Sequence, residues 1–131
     1  MKKAEGVLIR QSSAAVKETM DRFEEFLIKR GAIIYARIDQ RAEALKAGLD
    51  LHPLEYLLFG NPVKGAQLMQ INPLIALDLP LKLIVWTDGE GKTWVAFNDG
   101  SFISSRYDML MDQDSPLNLD PLVSHVLNLV E

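Results

Sequence analysis

Cysteine is absent from the 131-residue chain. Its absence excludes thiol catalysis, thiolate-bound zinc and iron–sulfur chemistry, and leaves the redox compartment open, because a cysteine-free chain tolerates any. Histidine is nearly as scarce. His52 lies in a proline-flanked loop and His125 close to the C-terminus. Neither falls in a metal-ligand motif such as His-Glu-x-x-His, so no metal and no cofactor is expected. No apolar run approaches the ~18 residues of a membrane span. Met1-Lys2-Lys3 has the basic start of a secretory signal, but Glu5, Arg10 and Gln11 follow where its apolar segment would stand, so the expectation is a cytoplasmic protein. Basic residues run short in the second half. Residues 1–65 hold 11 Lys and Arg against 9 Asp and Glu, whereas residues 66–131 hold 3 against 9. The tight basic pairs, Lys2-Lys3 and Lys29-Arg30, fall at a terminus and at a predicted helix end, where cations complement the helix dipole. Such a distribution lacks the clustered cations that track phosphates, which argues against nucleic acid as a partner.

What is present fits one globular domain over residues 1–131. Of the residues, 48% are hydrophobic and 24% charged, and a chain of this length buries enough surface to stand without disulfides or metal. A short β-branched stretch, Gly6 to Arg10, precedes Ser12-Ser13, either of which is suited to cap a helix opening at Ala14-Ala15. Val16, Met20, Phe23 and Leu27 then form one apolar stripe that ends at Gly31. Strands are expected over Ala32–Ile38 and Leu54–Phe59, with a shorter helix between them capped by Asp39. Leu81–Thr87 and Thr93–Asn98 read as a hairpin around Asp88-Gly89-Glu90-Gly91-Lys92, both glycines taking positive φ and Trp86 pairing with Trp94. Helices are expected over Phe102–Met111 and from Pro121 to Val130, with a polar turn at 112–120 between them. The order describes an α+β domain: a mainly antiparallel sheet with helices packed on one face.

The stretch Phe59-Gly60-Asn61-Pro62-Val63-Lys64-Gly65 is the most site-like part of the chain. Structurally, Gly60 lets the chain turn, Pro62 pushes Asn61 into an extended conformation and presets the first turn of a helix whose inner face is Leu68, Met69 and Ile71. Functionally, free amide groups of that first turn, around Val63 to Gly65, together with Lys64, would form a small anion site. Both readings stand at this level. Gly60, Asn61, Lys64, Gly65 and Arg106 are the candidate ligand-binding residues. No nucleophile elbow, Walker pattern, dinucleotide fingerprint or His-Glu-x-x-His is present, so no catalytic residue is assigned. Glu24-Glu25 read as part of a solvated helix face.

Gly48-Leu49 with Pro53, Phe59-Gly60-Asn61-Pro62, Gly65, Met69, Pro73, Leu79-Pro80-Leu81-Lys82 and the strand around Trp94 resemble the domain-of-unknown-function 302 family of small prokaryotic domains. The resemblance covers about residues 5–111 and leaves 112–131 as a C-terminal helical extension. It implies a fold similar to that of the TATA-box-binding protein, a homodimeric habit and no established activity. Family members often carry histidines where this chain has Gln40 and Tyr107, so no role of those histidines transfers. The expected function is therefore binding of a small, anionic ligand by a homodimer. The alternative is a non-catalytic protein-interaction module, with the acidic Asp112-Gln113-Asp114 loop as one surface.

Overall fold

The computed structural model describes residues 3–110 and 115–130. Its elements are β1 (Val7–Ser12), α1 (Val16–Lys29), β2 (Ile33–Asp39), α2 (Gln40–Lys46), β3 (Leu54–Gly60), α3 (Pro62–Ile71), a 3-10 turn (Pro73–Leu77), β4 (Leu81–Thr87), β5 (Thr93–Asn98), α4 (Gly100–Arg106) and α5 (Asp120–Leu129). The strands form one sheet in the order β1-β5-β4-β3-β2, with every neighbouring pair antiparallel. The α+β architecture thus follows the expectation.

One side of the sheet is the core. Leu57, Leu83, Val85 and Val95 are fully buried beneath the α1 stripe of Val16, Met20, Phe23 and Leu27, and Val123 and Val126 of α5 join the same cluster. The C-terminal helix is therefore part of the single core. Arg10 of β1 also pairs with Asp120 at its start, at 3.1 Å. A cluster with no local sequence signal lies under α1. Arg37 of β2 donates to Glu55 on β3 at 2.8 Å and to Asp21 and Glu24 on α1 at 2.7 and 2.9 Å. Burial opposes its charge, but these three carboxylates outweigh burial and hold the guanidinium above its ordinary pKa. Glu24 is thus a structural partner, while Glu25 pairs along its own helix with Arg22 and Lys29.

Local expectations fail where a side chain finds a better partner. Neither Ser12 nor Ser13 caps α1; its N-cap is Ala15, and the buried Ser12 hydroxyl bonds instead to Thr19 Oγ1 at 2.7 Å. Gly60 is not a turn residue. It closes β3, paired with Ile33, and does not take positive φ. Ile71 is 73% exposed, so the inner face of α3 is Leu68 and Met69 alone. Of the hairpin glycines, Gly91 takes positive φ and Gly89 does not. Trp86 does lie opposite Trp94, and the Trp94 indole N–H donates to the turn residue Asp88 at 2.7 Å. The α4 helix starts earlier than expected, capped by Asp99, and ends at Arg106 because Asp108 adopts φ 55. The Asp112-Gln113-Asp114 loop lies outside the described residues.

Candidate functional site

Asn61 leaves β3 in an extended conformation (φ −113, ψ 112) and caps α3, whose first residue is Pro62. Its Oδ1 accepts from both Val63 N and Lys64 N at 3.1 Å, and its carbonyl accepts from Gly65 N at 2.8 Å. The amides expected to cradle an anion are already satisfied by Asn61. This corrects the reading of free donors, since an N-cap side chain competes directly with any external acceptor.

Beside this corner lies a cleft of about 260 Å³. Gly60, Asn61 and Gly65 line it, facing Leu68, Met69 and the Leu79-Pro80-Leu81 link. Tyr35, from a bulge in β2 between Ile34 and Ala36, forms another wall. Apart from the Asn61 rim the walls are almost entirely carbon. Gly65 stands inside α3 with no atom within 4 Å of where a Cβ would be, so it serves no tight packing; its missing side chain widens the cleft. Lys64 is exposed on the same turn and is not among the lining residues.

Arg106 is elsewhere. On α4 its Nη1 donates to Asp78 Oδ2 at 3.0 Å, and the neighbouring Tyr107 hydroxyl donates to the same oxygen. That bond, with lesser help from burial, raises the Tyr107 pKa above the usual phenol value. A second cleft, of about 270 Å³, opens on the other side of Leu79-Pro80-Leu81 and is lined by Asp78, Lys82 and Asn98 with Ile103 and Leu119. Three of the five sequence candidates, Gly60, Asn61 and Gly65, therefore come together, and Lys64 and Arg106 stand apart. Tyr35 was missed because a bulge has no sequence marker here. The Leu79-Pro80-Leu81-Lys82 motif was a usable signal, since it forms the ridge between the two clefts. Of the two histidines, His125 lies against the Phe26 ring at 4.9 Å and His52 is exposed. Among the described residues no group of three His, Asp or Glu is placed to hold a metal ion, and no helix is long and apolar enough to cross a membrane.

Fold and site together define a small α+β domain with one helix-covered sheet face and an apolar cleft at the β3–α3 corner. The chain belongs to the family described as Domain of unknown function DUF302, whose family model matches residues 8–118. It resembles in fold the crystal structure of an uncharacterized conserved protein DUF302 from Bacillus stearothermophilus, with a TM-score of 0.71, 22% identity and coverage of 98% of this chain and 91% of that one. It is also 37% identical over 109 residues to proteins named Fluoride-specific ion channel FluC 1 from Brucella suis biovar 1 (strain 1330) and Brucella abortus biovar 1 (strain 9-941). The match covers 83% of this chain but 43% and 40% of theirs, so the chain spans less than half the length of these relatives.

Proposed function

We propose that the domain binds a small ligand whose buried part is apolar, in the cleft at the β3–α3 corner, and that it does so as a homodimer. The supporting observation is the cleft itself, with a helix glycine that nothing packs against forming part of its wall. A glycine within a helix costs roughly 0.5–1 kcal/mol relative to alanine. Here no close contact offsets that cost, and an open binding surface gives it a purpose. A cavity of ~150 Å³ takes up benzene, so about 260 Å³ suits a one- or two-ring compound or a short acyl chain. Any anionic part would remain outside, near exposed Lys64.

The test is thermal shift with indole and naphthalene-sized carboxylates, run beside inorganic phosphate. The aromatic probes should raise the Tm of the wild type, and Gly65→Leu, which fills the cleft from its own wall, should abolish that rise while folding normally. Phosphate alone should do nothing, because Asn61 holds the amides. An equal response of Gly65→Leu and wild type would remove the cleft as the site.

The relatives favour the interaction-module reading as the second. Proteins named as fluoride channels are more than twice as long as the stretch they share with this chain. That shared stretch holds no membrane-crossing helix among the described residues. The channel name therefore concerns a larger protein and is not transferred here; the domain would be a part carried alongside. Exposed Leu74 and Leu77, at 62% and 74%, offer such a module an apolar contact, and Leu77 also lines the second cleft.

A further inference from the structure

The face of the sheet turned away from the helices is unlike a face that meets water. An antiparallel sheet with one wet side alternates apolar and polar residues along each strand. In β4, Leu81-Lys82-Leu83-Ile84-Val85-Trp86, the alternation stops after Lys82. Register shows what this builds. Ile38, Tyr56, Ile84, Ala96 and Ile9 stand side by side across all five strands, an unbroken apolar row on the open face. A second row brings Leu54 beside Trp86 and Trp86 beside Trp94. Apart from Ala96, these side chains are partly exposed, whereas their neighbours Leu57, Leu83, Val85 and Val95 on the helix side are fully buried. Helix α2 has no buried residue.

We infer that this open sheet face is where two copies of the chain associate, face to face. The inference rests on the dimeric part of the function proposed above and is independent of the cleft. Charge decides the kind of occupant. Lys82 is the one ionisable cation among the outward positions of the sheet, and it is laid over the Tyr56 ring at 4.3 Å. A nucleic acid or an acidic protein would find no cationic field there, and a basic one no anionic field. A second copy brings the same neutral, apolar surface, as an isologous two-fold contact requires. Extent agrees. Five strands about 4.8 Å apart and six residues long at about 3.4 Å each present roughly 500 Å². Two such faces give roughly 1,000 Å², the size at which a specific interface becomes tenable. Two twisted sheets pack about 10 Å apart, a distance their side chains fill.

Ile84 sits at the middle of the central strand, so it is the residue to change. Sedimentation at micromolar concentration should give twice the 14.7 kDa chain mass for the wild type and the monomer mass for Ile84→Lys. The two tryptophans of the chain both lie on this face, so dilution of the wild type should shift their emission to the red as the dimer parts. Because the chain has no cysteine, Ile84→Cys carries a single spin label, and its spectrum should be strongly broadened by the label on the other copy. That second measurement decides the matter if Ile84→Lys fails to fold. A wild type that stays monomeric overturns both the dimer and the face, including one that instead adsorbs to phosphatidylcholine vesicles. A dimer that survives Ile84→Lys, or whose Ile84→Cys label is not broadened, overturns the face while the dimer stands.

Discussion

Three glycines that look alike in sequence have three different duties. Gly60 ends a strand in an ordinary conformation, and a Cβ there would meet the Tyr35 ring at 3.6 Å, a normal contact. Gly60→Val should therefore change stability by less than about 0.5 kcal/mol, in the range of an unstrained surface change. Gly65 has open space around it, so Gly65→Ala should stabilise by roughly 0.5–1 kcal/mol through helix propensity. Gly100 is the opposite case. Its Cβ would lie 2.4 Å from the Leu117 carbonyl oxygen, a backbone atom that cannot swing aside. Gly100→Ala should destabilise by about 1–3 kcal/mol, the range of overpacking in a filled interior. Urea denaturation of the three variants checks the order, and a Gly60→Val loss as large as that of Gly100→Ala would contradict it.

At the scale of elements, short side chains decide where helices start. Asn61, Asp39 and Asp99 each accept a first-turn amide. Asn61→Ala should cost about 0.5–2 kcal/mol and Asn61→Gly only a few tenths, measurable as urea midpoints at constant slope. The same loss exposes the Val63 and Lys64 amides, so Asn61→Gly is the variant in which phosphate should begin to raise the Tm. Arg37 works between elements, binding α1 to β2 and β3 at once. Arg37→Met leaves Glu55, whose side chain is 12% exposed, without its partner. Hydrogen bonds to charged groups contribute about 1.5–3 kcal/mol each, so a loss in that range is expected.

For the molecule as a whole, pH reports two separate polar clusters, one around Arg37 and Asp21 and one around Asp78 and Tyr107. Hydrogen bonds from Lys17 and then Arg37 lower the Asp21 pKa below its ordinary value. Its contribution to stability is thus complete above about pH 4 and is lost as pH falls through the lowered native value. Asp21 is nearly half exposed, so the effect is modest, and Asp21→Asn should flatten the acid limb of Tm against pH. Tyr107 has the opposite sign. Its raised pKa means that its contribution holds below about pH 10 and is lost as pH climbs through the native value. Tyr107→Phe should remove that alkaline loss; an unchanged alkaline limb would show that the contact with Asp78 contributes nothing.

Periodicity and punctuation made much of this protein legible from sequence. The α1 stripe, the Gly31 stop, the Asp39 cap, the hairpin and the Pro62 helix start depend on residues within a few positions of one another, and local sterics and hydrogen bonding act over that range. The α+β class followed from their order. What the sequence left open was decided by groups far apart in the chain. Arg10 reaches Asp120 at the start of α5, Arg37 collects carboxylates from two elements, and Asp78 takes both Arg106 and Tyr107. The corner itself shows the division most clearly. Its residues announced a helix starting at Pro62 and hinted at an anion, but which acceptor satisfies the Val63 and Lys64 amides depends on the rotamer of Asn61 in the folded chain. The carbon walls of the cleft depend on Tyr35, Leu79 and Pro116 arriving from other parts of the chain. Hydrogen-bond competition and enclosure are tertiary properties, so the character of the site appears only when the chain closes around it.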